Sequence, residues 1–88
     1  MTQEEFKETA SREGFDTPKA VSFEPSARSD MHTHDKVSFV YVVSGEFILN
    51  TVDGAKVYGP GETLVLDKDI EHAEEAGTMG ATVLAARK

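Results

Sequence analysis

The rhythm of apolar and polar positions changes at Pro18. Before it, Gln3 to Glu13 is built from good helix formers and carries only a thin apolar complement, Phe6 and Ala10, with Phe15 just beyond. Thr2 followed by Glu5 has the spacing of a capping box, in which each side chain satisfies the other residue's backbone N–H. Gly14 is placed to end the helix, and Pro18 blocks any continuation. The pattern predicts a short N-terminal helical segment within residues 1–16, laying Phe6 on the wall of the β-structure beyond Pro18.

From Pro18 onward the pattern is that of short strands separated by turn residues. Ala20 to Glu24 alternates and stops at Pro25. Ser26 to Asp30 is polar and reads as a loop, and Met31 to His34 as a short strand. Val37 to Val43 is the strongest strand signal, rich in β-branched and aromatic residues. It is apolar on both parities apart from Ser38, so both of its faces should be covered, one by a barrel interior and one by a second layer or subunit. Ser44-Gly45 reads as a turn, Glu46 to Thr51 as a strand, and Asp53-Gly54 as a hairpin leading into Lys56-Val57-Tyr58. Gly59-Pro60-Gly61 and Asp67-Lys68-Asp69 are turns on either side of a short strand, Thr63 to Leu66. Gly77 and Gly80 flank an expected loop before a last strand, Thr82 to Ala86. Many short strands at close spacing predict an all-β barrel or sandwich over residues 18–88.

Length and composition narrow this. Eighty-eight residues make one domain, near the size at which a lone core becomes marginal. With the doubly apolar strand, this predicts a homodimer. There is no cysteine, so a metal would be held by nitrogen and oxygen alone. Sixteen acidic residues against nine basic ones give a formal charge of −7. That argues against a nucleic-acid partner, whose phosphates demand Lys and Arg. No apolar run approaches the roughly 18 residues of a membrane span. The acidic, polar N-terminus does not look like a secretory signal, so a cytoplasmic location is expected.

The chemistry sits in three histidines, all that the chain has: His32, His34 and His72. His32 and His34 are two apart in a segment that reads as extended, which puts both imidazoles on one face, with Cα atoms roughly 6.6 Å apart at about 3.3 Å per residue. His72 is far along the chain, so only a closed fold brings it near. Strand alternation points Asp35 and Glu71, the sequence neighbours of His34 and His72, away from the site. Glu71, Glu74 and Glu75 read as a solvated face. Val40 and Val42 share the parity of Ser38 and are expected to line a narrow apolar pocket.

These residues resemble the cupin superfamily. Its first motif is Gly, five residues, His-x-His, three or four residues, Glu, six residues, Gly. His32-Thr33-His34 supplies the pair, Gly45 the closing glycine, Ser38 stands where the family has Glu, and Ser26 where it has the first Gly. In the second motif Gly61 is the opening glycine and His72 the histidine. Asp67 replaces the Pro, Asp69 replaces a Gly, and Ala76 takes the usual Asn position. Asp tolerates the left-handed backbone that a Gly often marks, so that turn can survive. The resemblance implies a jelly-roll β-barrel, often dimeric, with one divalent transition metal (Fe, Zn, Ni or Mn) on His32, His34 and His72. With Ser38 in place of Glu, that ligand set is neutral and less suited to a hard cation such as Mn.

Two kinds of function are compatible with these residues. One is a metal-dependent enzyme acting on a small polar substrate. The other is a non-catalytic module that binds or senses a small molecule, with or without a metal. The fold alone does not choose between them.

Overall fold

The computed structural model describes residues Met1–Lys88. It contains one helix, α1 (Gln3–Arg12), and five strands: β1 (Lys19–Phe23), β2 (Ser38–Thr51), β3 (Gly54–Tyr58), β4 (Thr63–Leu66) and β5 (Ala73–Arg87). The helix begins as its sequence predicts. Thr2 Oγ1 accepts from the N–H of Glu5, and Glu5 Oε1 accepts from the N–H of Thr2 at 2.8 Å. That second bond, from the Thr2 backbone, holds the Glu5 carboxyl below its usual range.

All strand pairs are antiparallel, and they form one sheet. Its order is β1-β5-β2-β3, with β4 pairing the opening half of β2. The long pair β2 and β5 is the spine. Ser38 is opposite Arg87 at one end, and Asn50 is opposite Ala73 at the other. Two register shifts, at Val42/Ser44 and Gly45/Phe47, bend the spine so that the sheet curls into a jelly-roll barrel whose outer strands do not pair with each other.

Glycines expected to break the chain lie inside these strands. Ser44-Gly45 is a bulge in β2, not a turn, and Gly77 and Gly80 fall within β5, not beside a loop. Gly45 and Gly80 both take left-handed backbone, φ 76° and 79°. A Cβ on Gly45 would overlap the Gly80 carbonyl oxygen, so the two strands approach there as only glycine allows. Two substituted positions of the resemblance behave as their turns demand. Ser26 has φ 58° and Asp69 has φ 65°, both left-handed without a glycine.

The two faces of the β2/β5 spine are packed differently. Inward, Val40, Val42, Phe47, Leu49, Leu64, Leu66, Ala76, Ala81 and Val83 form the barrel core. Outward, Phe39, Tyr41 and Ala86 join Phe6 and Ala10 of α1 in a second cluster. The Phe6 ring is fully buried, 4.6 Å from Phe39 and 5.5 Å from Tyr41 between centroids. The outer layer expected over this strand is therefore the chain's own helix, and at Phe39 and Tyr41 no second subunit is needed for burial. No helix is long and apolar enough to cross a membrane.

Candidate metal centre

The site lies where β5 begins. Its first residues are flanked on one side by β2 and on the other by the segment after β1. That segment is not the strand expected over Met31 to His34. It touches the sheet through single bridges, Arg28 to Glu75 and His32 to His72. The His32 bridge is nonetheless firm: its N–H donates to the His72 carbonyl at 2.8 Å, and the His72 N–H returns at 2.9 Å. The Asp69 N–H donates to the His34 carbonyl at 2.8 Å, so the left-handed turn at Asp69 fixes the second histidine.

This backbone brings the three rings together. Centroids are 4.9 Å apart for His32 and His34, 4.4 Å for His32 and His72, and 4.9 Å for His34 and His72. Glu74 joins them. Its Oε1 is 3.0 Å from Nε2 of His32, 3.9 Å from Nε2 of His34 and 3.8 Å from Nε2 of His72. The solvated face expected at Glu71, Glu74 and Glu75 is thus broken at Glu74, which points into the site. Glu75 turns the other way and pairs with Asn50 and Arg28. Alternation along an extended His72-Ala73-Glu74 puts His72 and Glu74 on one face. That signal was present in the sequence, hidden because the segment did not read as a strand.

Second partners determine which nitrogens can act. Nδ1 of His32 is 2.7 Å from the Asp30 carbonyl, and Nδ1 of His72 is 2.9 Å from the Ile70 carbonyl. A carbonyl only accepts, so each Nδ1 carries the proton and donates it. A neutral ring then has its lone pair on Nε2, the atom aimed into the cluster. This tautomer is the one that backbone carbonyls impose on metal-ligating imidazoles. His72 is 1% exposed, and its Nε2 has no hydrogen-bond partner. In His32 the lone pair would face a carboxylate oxygen at 3.0 Å, which is repulsive unless a proton or a cation lies between. Burial first, and then the Arg87 charge, lower the His34 pKa, which favours a neutral ring at pH 7.

The four ligand atoms lie within 4.8 Å of one another. Two ligands on one ion at about 2.1 Å can stand at most about 4.2 Å apart, so small side-chain shifts would close the set. Three imidazoles and a carboxylate, with an unpartnered buried nitrogen among them, fit a divalent transition metal.

A cavity of about 60 Å³ adjoins the cluster. His34, His72 and Glu74 are at its rim, with Ser38, Val40 and Arg87 among its walls. Val40 lines it as expected, whereas Val42 is packed in the core and does not.

The sequence matches the family described as Cupin domain over residues 20–85. This chain is a cupin. Solved structures agree at the level of fold. An RmlC-like cupin from Shewanella frigidimarina is 24% identical with a TM-score of 0.70, over 81% of this chain and 63% of that one. The polyketide cyclase RemF from Streptomyces resistomycificus is 20% identical with a TM-score of 0.70, over 88% and 58%. A chain of the Rhodobacter sphaeroides complex of SigE with the anti-sigma ChrR is 20% identical with a TM-score of 0.69, over 82% and 38%. The cupin therefore spans about two thirds or less of each of these chains. No curated protein matches it.

Proposed function

We propose that this cupin holds one divalent transition metal on His32, His34, His72 and Glu74 and uses it to bind, and in the enzyme reading to activate, a small polar ligand. The observation that carries this is the convergence of three Nε2 atoms on one carboxylate oxygen, with two of the rings locked by backbone carbonyls so that Nε2 is their ligating atom. Such an ion supplies a Lewis-acid centre that polarises an oxygen ligand or acidifies a bound water. The chain contributes the rest. The Asp30 and Ile70 carbonyls orient the His32 and His72 rings, Glu74 brings one negative charge from β5, and backbone hydrogen bonds to His72 and Asp69 hold His32 and His34 in place. With Glu74 in the set, the charge of the loaded site is +1 and not +2, and a hard cation such as Mn is less disfavoured than three histidines alone would make it.

A non-catalytic binding or sensing module is the second reading. It is favoured by the cavity walls, which beyond the cluster are chiefly apolar: Val21, Phe23, Val40, Leu64 and Leu66. Folds similar to this one occur both in a polyketide cyclase and in a sigma/anti-sigma complex, so kinship is compatible with either.

The test is reconstitution of untagged protein with iron, zinc, nickel and manganese in turn, followed by metal analysis. One equivalent per chain of at least one metal is expected, falling away in acid as protons compete with the metal for the imidazole nitrogens. Retention of none would end the metal reading. Assembly as a homodimer now rests on exposed apolar residues of the outer strands, Val57 and Val65. A monomer mass by light scattering at micromolar concentration would remove it.

A further inference from the structure

Three buried side-chain polar atoms in the molecule have no hydrogen-bond partner: Ser38 Oγ, His72 Nε2 and Arg87 Nε. All three residues line the one cavity of about 60 Å³. His72 is accounted for by the metal reading. Ser38 and Arg87 are not.

Those two are direct cross-strand partners at the end of the β2/β5 spine. Opposed residues on one face of an antiparallel pair have Cβ atoms about 5 Å apart. Ser38 is 3% exposed, on the inward parity of Val40 and Val42. Arg87 continues the inward row of Val83 and Ala85. Its backbone is pinned, with its N–H donating to Asp16 Oδ1 at 2.8 Å and its carbonyl accepting from the Asp16 N–H at 2.8 Å. Its guanidinium has no ion-pair partner within the chain, although the chain carries a −7 charge; Glu74, the one acid lining the cavity, is used on the histidines, and the Asp16 carboxylate accepts from the Arg87 backbone. In the cupin motif a Glu would stand at position 38, directly across from this guanidinium. Here a serine leaves the charge unmatched and the volume open.

We propose that Ser38 and Arg87 form a carboxylate-binding subsite, so that the ligand of this cupin is a small organic acid whose carboxylate sits on Arg87 and Ser38 and whose remaining polar group reaches the His/Glu cluster. Guanidinium N–H groups match a carboxylate's two oxygens, and the serine hydroxyl adds a third donor. The cavity admits a group of only a few heavy atoms, which selects for short acids. Identifying the ligand class rests on the metal reading for the group that faces the ion, but the carboxylate contacts need no ion.

The experiment is a titration of acetate and of glycolate into ¹⁵N-labelled protein, metal-free and zinc-loaded, following the Arg87 Nε–H resonance, with acetamide and chloride as controls. Zinc content is measured on the same samples. A saturable shift with both acids, and none with acetamide or chloride, is expected. Arg87→Gln, read from the Ser38 backbone amide, which is followed in all samples, should weaken acetate binding at least tenfold with zinc content unchanged. Ser38→Glu, which offers the arginine an internal carboxylate, should abolish it while keeping or raising zinc affinity. Should Arg87→Gln not fold, the wild-type shift and Ser38→Glu still decide. Equal response to acetate and acetamide, no saturable shift, or undiminished binding in Ser38→Glu would overturn the proposal. Zinc uptake without an acetate response removes this subsite and leaves the metal reading; an acetate response without zinc uptake does the reverse.

Discussion

The two faces of the β2/β5 spine are made by alternate residues of the same strands, yet they are finished in opposite ways. Outward, Phe39, Tyr41 and Ala86 are sealed by Phe6, and none of the unpartnered buried polar atoms is there. Inward, the row that starts as Val42 and Val40 ends at Ser38, and the row that starts as Val83 and Ala85 ends at Arg87. The cavity they enclose gathers all three residues with unpartnered atoms and three of the four possible metal ligands, His34, His72 and Glu74. An unpaired buried polar group costs about 1–3 kcal/mol. A chain that sets several of them around one cavity, while packing the opposite face without any, is spending stability where a ligand can recover it.

The comparison is broken most forcefully from the outward side. Phe6→Ala should cost about 3–5 kcal/mol, a large share of the roughly 5–15 kcal/mol that holds a domain together. Urea unfolding measures it, and zinc uptake by the folded fraction should be unchanged. The inward side should respond with the opposite sign. Ser38→Val replaces an unpartnered hydroxyl by methyls that fill part of the cavity, and it should stabilise the metal-free protein by about 1 kcal/mol while removing acetate binding. A loss of stability of that size would mean that Ser38 is already satisfied. The smallest effect is on pH dependence. Because the folded pKa of His34 lies below the usual 6.5, the unfolded chain takes up its proton first as pH falls. Stability of the metal-free protein should therefore decline as pH drops through 6.5 and level off below the folded value. The thermal midpoint of His34→Ala should lack that part of the decline.

The same division explains what could be read in the sequence. Local rules carried the helix, because Thr2 and Glu5 are adjacent partners. They also carried the left-handed turn at Asp69, because one residue type decides it. Motif spacing carried the three histidines. Strand length was not legible at Gly45, Gly77 and Gly80, since a glycine in a bulge and a glycine in a turn look alike until a partner strand is known. Glu74 was lost with it: once the segment after His72 was not a strand, nothing distinguished Glu74 from Glu71 and Glu75. The Ser38 and Arg87 pairing depends on register across 49 positions of chain, which no local pattern encodes.

The central claim is that Glu74 and the three histidines act as one ligand set. Zinc affinity by competition with a chelating dye tests it most directly, on wild type, His34→Ala and Glu74→Gln, each checked for an unchanged fold by circular dichroism. The expected result is one zinc per wild-type chain, none retained by His34→Ala, and affinity clearly lowered in Glu74→Gln, which removes a carboxylate ligand and its negative charge. A wild type that binds no zinc, or a His34→Ala variant that binds as well as wild type, would contradict the account. Glu74→Gln with undiminished affinity would return the site to three histidines.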